Sequence, residues 1–123
     1  MLTLSILPET LAICHFGKNS PIPDWVKDIS FCSITRTKDE LSVIAPQDKI
    51  PAGVMVEKNW RAFKVEGPLG FSLTGVVSSL SKPLADEKVS IFYVDTYETS
   101  YLLVEEKNLQ KAENILANFC DIK

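Results

Sequence analysis

One pattern recurs in this chain. The order strand, helix, strand, polar turn, strand occurs twice in 123 residues, with a spacing of about 60 residues. Overlaying the halves places Ile29-Ser30 on Val89-Ser90, Ile34 on Val94, Leu41 on Tyr101, Val43 on Leu103 and Ile44 on Val104. The polar stretch Thr35 to Glu40 falls on Asp95 to Ser100. Matching apolar strands alone would mean little, because any two hairpins share alternation. The shared order of elements is what constrains the fold to two related αβ halves, set at residues 1–59 and 60–123.

Leu2, Leu4 and Ile6 alternate with Thr3 and Ser5, the period of a half-buried strand. Leu11 to Phe16 reads as a second strand, expected to form a hairpin with the first across Pro8-Glu9-Thr10. Ile22 to Ile29 is expected to hold a short helix with Trp25 and Ile29 inward, its start limited by Pro21 and Pro23. Phe31 to Thr35 and Leu41 to Ala45 form a hairpin around Thr37-Lys38-Asp39-Glu40. Trp60 to Glu66 is a strand with Phe63 and Val65 on one face. After the break Gly67-Pro68-Leu69-Gly70, Ser72 or Thr74 is expected to cap a helix. Val76, Val77, Leu80 and Leu84 bury one face of that helix, with Pro83 kinking it or marking its last turn. Val89 to Val94 and Tyr101 to Val104 are strands. Asn108 precedes a final helix with Leu109, Ala112, Ile115, Leu116 and Phe119 inward.

The net charge of −3 disfavours nucleic acid, which is bound largely through Lys and Arg. No run of about 18 uncharged apolar residues is present, so no transmembrane helix and no membrane partner are expected. Met1 to Ile6 lacks the basic flank and cleavage site of a signal peptide. Cys14, Cys32 and Cys120 are odd in number and form no C-x-x-C pair, which suits reduced thiols in a cytoplasmic protein. His15 is the sole histidine and has no ligand at zinc spacing. Cys14 and His15, adjacent in a strand, point to opposite faces and make a poor dyad. Gly70 and Gly75 have the spacing of a phosphate-binding loop, but Val76 and Val77 stand where the lysine and hydroxyl belong. No catalytic residue, cofactor or metal is expected.

Two loops remain. Gly67 to Gly75 leads from a strand into a helix. Its glycines permit close backbone approach, and unpaired amides at the helix start favour an anion. Asp95-Thr96-Tyr97-Glu98-Thr99 carries two carboxylates and several hydroxyls, suited to a cation. Together they suit a zwitterion. The alternative is a helix cap beside a solvated hairpin turn.

Trp60-Arg61-Ala62-Phe63-Lys64-Val65-Glu66-Gly67-Pro68, Phe71-Ser72-Leu73-Thr74-Gly75-Val76, Lys82-Pro83-Leu84-Ala85 and Val89-Ser90-Ile91-Phe92 resemble the ACT domain. The likeness is to the aspartokinase-type branch, found in small stand-alone bacterial proteins and in eukaryotic cytosolic arginine sensors. Ile34-Thr35-Arg36-Thr37, Glu40-Leu41-Ser42 and Ile50-Pro51-Ala52-Gly53-Val54 are shared with the bacterial group. The resemblance implies an α/β fold of tandem ferredoxin-type βαββαβ units, antiparallel sheets backed by helices. It implies a regulatory module that senses a free amino acid, and a homodimer. Carried over, the ligand-binding residues are Phe71, Ser72, Leu73, Thr74 and Gly75 with Asp95, Thr96, Tyr97 and Glu98. Where aspartokinases tend to have Ser-Thr-Ser-Glu, this chain keeps Thr96 and Glu98 but brings in Asp95 and bulky Tyr97. The alternatives are an assembly domain without ligand and an enzyme acting through a cysteine.

Overall fold

The computed structural model describes residues 2–70 and 73–123. Its strands are β1 (Leu2–Ile6), β2 (Leu11–Gly17), β3 (Ser33–Arg36), β4 (Glu40–Pro46), β5 (Met55–Val65), β6 (Ile91–Asp95), β7 (Ser100–Glu105) and β8 (Cys120–Ile122), with helices α1 (Val76–Asp86) and α2 (Leu109–Leu116). The chain divides into two compact units: Glu9–Trp60, and Met1–Pro8 together with Arg61–Lys123.

In the unit Glu9–Trp60, β2 lies between β4 and the first part of β5, antiparallel to both, and β3 pairs antiparallel with the far side of β4. The order β3-β4-β2-β5 is that of a ferredoxin-type βαββαβ unit. Its helices are reduced to single 3-10 turns at Asp24–Val26 and Gln47–Lys49. The helix expected over Ile22 to Ile29 therefore does not form. Pro21 and Pro23 supply no backbone N–H, and the short turn that follows Pro23 buries no residue. Trp25 and Ile29 nevertheless pack inward against Cys14, Leu41, Val43 and Ala45.

In the other unit, β5, α1, β6, β7, α2 and β8 follow in βαββαβ order. β7 pairs with β5 and β6. β1 is inserted between β5 and β8, antiparallel to the first and parallel to the second. Both edges of β1 are thus occupied, and the hairpin expected between β1 and β2 does not exist. Leu80 and Leu84 of α1 and Ala112 and Leu116 of α2 close over Leu4, Phe63, Val65, Leu102 and Val104. The helices cover one face of the sheet, giving an α+β sandwich. α1 runs through Pro83, which lies near its last turn. α2 stops at Leu116 rather than continuing inward to Phe119, which is exposed. The chain then turns to form β8, and Cys120 takes the buried place.

Cys14 and Cys120 are free thiols inside the two cores. Burial pushes both above the usual thiol range. Each therefore keeps its proton in the fold after the unfolded chain has lost it. The stability tied to them is intact below about pH 8.5, the ordinary thiol value, and is lost as pH rises beyond it. Unfolding midpoints in urea are expected to fall between pH 8 and 10, and to fall less steeply in a Cys14→Ala/Cys120→Ala double variant. Equal slopes would show that the thiols do not set this dependence. Among the described residues no helix is long and apolar enough to cross a membrane, and no cluster of three or more His, Cys, Asp or Glu could hold a metal.

Candidate ligand-binding site

The loop after β5 and the β6–β7 hairpin meet in the unit containing Arg61–Lys123. The amide of Leu69 donates to the Glu98 carbonyl at 2.7 Å. The Thr99 hydroxyl donates to the Val65 carbonyl. Gly67 is what permits this approach: a Cβ there would stand 3.0 Å from the Glu98 carbonyl oxygen and 3.2 Å from Thr99 Cβ. A side chain at Gly67 would push the hairpin off the loop.

The hairpin turn is built by Thr96. Its amide donates to the Thr99 carbonyl at 2.8 Å, and its hydroxyl accepts from the Thr99 amide at 3.2 Å. Asp95 and Ser100 are the closing cross-strand pair, and the Ser100 hydroxyl donates to Asp95 Oδ1. On the opposite side, Gly75 has φ of 79°, a left-handed conformation that glycine adopts without strain. It is the N-cap of α1, and among the described residues no side chain caps the helix. The capping role expected of Thr74 is therefore absent, because the chain enters α1 through Gly75. Among the described residues no side chain accepts from the first-turn amides.

Between loop and hairpin lies a pocket of about 360 Å³, lined by Leu69, Gly70, Leu73, Gly75, Val76, Val77, Tyr93 and the run Asp95–Ser100, a size in the range of small-molecule sites. Of the residues carried over by resemblance, Leu73, Gly75, Asp95, Thr96, Tyr97 and Glu98 line it. Thr74 is exposed in the same loop. Phe71 and Ser72 lie outside the described residues. Val77, expected on the buried face of α1, is 45% exposed and faces this pocket instead. Thr99, in the lining too, belongs to the hairpin loop that its hydroxyls and carboxylates mark, whereas sequence reasoning did not select Tyr93 or Ser100. The two charged side chains of the described lining are both carboxylates, Asp95 and Glu98.

The rivals through cysteine and histidine find no support in geometry. His15 is exposed while Cys14 is buried, on opposite faces of β2. The raised pKa values of Cys14, Cys32 and Cys120 are the reverse of an activated thiolate.

Known proteins can now be set beside this geometry. The family model for the ACT domain matches residues 55–118, and a second model, for an N-terminal domain, matches residues 9–53. The crystal structure of protein Atu0741 from Agobacterium tumefaciens is 37% identical with a TM-score of 0.93, covering 99% of this chain and 92% of that one. The cytosolic arginine sensor for mTORC1 subunit 1 of Bos taurus is 27% identical over 93% of this chain, which spans only 39% of the sensor's length. The aspartate kinase of Clostridium acetobutylicum, at 14% identity and a TM-score of 0.71, shares the fold over 94% of this chain and 34% of its own. With the βαββαβ order in both units and the domain model spanning more than half of its residues, the chain belongs to the ACT domain family.

Proposed function

We propose that this protein is a regulatory module that binds one free amino acid in the pocket between the Gly67–Gly75 loop and the β6–β7 hairpin, without catalysing a reaction. The observation that carries the reading is the pocket itself, lined both by the start of α1 and by two carboxylates. Thr74, Gly75 and the first-turn amides of α1 would hold the α-carboxylate, where the helix dipole favours negative charge. Asp95 and Glu98 would hold the amine or a basic side chain. Leu73, Thr96 and Tyr97 would shape the walls. The similarity to an arginine sensor and to aspartate kinases supports an amino acid as the ligand class. Binding would act by population shift, favouring one arrangement of the protein or one oligomeric form, such as a homodimer.

A second reading, an assembly domain without ligand, draws on Phe92. It is 38% exposed on β6, a strand paired only with β7 among the described residues, and open strand edges invite pairing.

A thermal-shift screen against the common amino acids at millimolar concentration separates the two. A ligand at about 100 times its dissociation constant stabilises the fold by about 2.7 kcal/mol, which is several degrees for a domain of this size. A shift confined to one or two amino acids is expected. A cooperative melt with no shift for any of them would leave the assembly reading.

A further inference from the structure

In the unit Glu9–Trp60, the crossover from β4 to β5 is cut short. Residues 47–54 make it, and their only helical piece is the 3-10 turn Gln47–Lys49, which buries no residue. The matching crossover of the other unit takes residues 106–119, and its helix α2 buries Ala112 and Leu116. A sheet face is closed by apolar side chains from the layer packed on it. Without a helix that layer is thin. Ile50, Val54 and Val56 pack against Cys14, Leu41, Val43 and Ala45 yet stay only partly buried. They line a hollow of about 300 Å³ between residues 47–54 and β5, at the lower end of the range for small-molecule pockets.

One charged side chain, Lys58, lines the hollow. Its place is set by an irregularity in β5. Leu11 faces Trp60 and Ile13 faces Glu57, so Lys58 and Asn59 together oppose Ala12. Such a bulge re-aims the side chains beside it. Asn59 has φ of 67°, a left-handed conformation that asparagine adopts more readily than most residues. Gln47 holds it there. The Asn59 amide donates to Gln47 Oε1 at 2.7 Å, and Gln47 Nε2 donates to Asn59 Oδ1 at 3.2 Å. The first residue of the 3-10 turn thus clasps the bulge, and Gln47 and Lys58 line the same hollow. Among the described residues the Lys58 ammonium is in no ion pair.

We propose that this hollow is a second ligand site, for a small carboxylate with a branched apolar body, and that Lys58 holds the carboxylate. The body covers Ile50, Val54 and Val56, the part that α2 plays in the other unit. The head meets the Lys58 ammonium at the exposed rim, where it keeps contact with water and pays little desolvation. A single positive charge matches a single negative one. No carboxylate side chain lines the hollow, so an amine has no counterpart there, and a polyanion would keep charge unmatched. The hollow belongs wholly to the unit Glu9–Trp60, and the proposal stands or falls independently of the amino-acid reading above.

Amide chemical shifts of the full, isotope-labelled chain test it, in titrations at pH 7 with isocaproate, its neutral amide isocaproamide, and acetate. Isocaproate is expected to move the resonances of residues 50–58 saturably, and isocaproamide to bind about fivefold more weakly, the worth of an exposed ion pair. Acetate, which has the charge without the body, is expected not to saturate. Lys58→Met keeps an apolar stem and loses the charge. It is expected to weaken isocaproate about fivefold and to leave isocaproamide unchanged, while Lys58→Arg stays within about twofold of the wild type. Lys58 is exposed, so both variants are expected to melt with the wild type. Equal affinity for acid and amide, or equal affinity of wild type and Lys58→Met for the acid, would overturn the role of Lys58. Saturation by acetate in the same range would mark an anion site without an apolar body and overturn the ligand class. No saturable shift, or shifts confined to other residues, would overturn the site itself. Shifts at residues 50–58 that grow with protein concentration in the absence of acid would give the hollow to a second copy of this chain and overturn it as well.

Discussion

Replacing Phe63 with alanine is expected to lower the unfolding free energy by about 3–5 kcal/mol. Phe63 is the largest of the fully buried side chains. It sits on β5 opposite Ile6 of β1, in the core that also holds Leu4, Val65, Leu80, Leu84 and Leu102. The loss combines the transfer of the ring to water with the cavity left behind. The core cluster that holds the ring draws on the sheet and on both helices, so filling the space would require several elements to shift together. Typical domains have only about 5–15 kcal/mol in total, so the variant should unfold at a markedly lower urea concentration. Met55, on the same strand but 71% exposed, supplies the comparison. Met55→Ala is expected to change stability by no more than about 0.5 kcal/mol. A cost near 1 kcal/mol for Phe63→Ala would mean that the packing around it relaxes, and that the fold draws its stability from elsewhere.

That contrast within one strand shows what alternation can and cannot convey. Phe63 and Val65 are legible as core because period-two spacing fixes which face a strand residue takes. The β3–β4 and β6–β7 hairpins are legible for the same reason, helped by polar turns that begin with threonine. Alternation carries no information about which strand lies alongside. β1 has the pattern of a hairpin partner for β2, yet its neighbours are β5 and β8, and only the long-range packing decides this. β8 is three residues long, too short for any period to show. Pro21 and Pro23 warned that the first helix would be curtailed, but not that a single 3-10 turn would replace it.

The site divides along similar lines. Loop chemistry marked Leu73, Gly75 and Asp95 to Glu98, because glycines and clustered hydroxyls and carboxylates in a connection are visible as local composition. Tyr93 was invisible because it stands in the apolar run Ile91 to Val94, where an aromatic residue counts as core. Its hydroxyl becomes meaningful only with Asp95 two residues on and Ser100 across the strand. A usable signal existed: a hydroxyl-bearing aromatic in an apolar strand, in phase with a carboxylate at the strand's end. Val77 deceived in the other direction, since helical spacing placed it inward and the pocket drew the chain away from it.

The largest effect on binding is expected from Asp95→Arg, which gives the β6–β7 hairpin the charge that β3–β4 has at Arg36; the strand registers set Arg36 against Asp95, one residue off the overlay expected from the sequence. Binding of the amino acid should fall by more than about 100-fold, because the variant loses the carboxylate acceptor and sets like charge against the ligand's amine or basic side chain, a cost of several kcal/mol. The fold should survive. Asp95 is exposed, its side-chain bond among the described residues is to Ser100, and the matching position of the other hairpin already carries a guanidinium, Arg36. The melting temperature without ligand is therefore expected to match or exceed that of the wild type, while the shift on adding the amino acid disappears. Unfolding of the variant would show that Asp95 is held for structure. Affinity retained within about threefold would show that the ligand's cation does not sit at Asp95, and would turn attention to Glu98 at the other side of the turn. The predicted combination, a stable protein that no longer responds to ligand, separates a binding carboxylate from a structural one because only the former can be replaced by its opposite without cost to the fold.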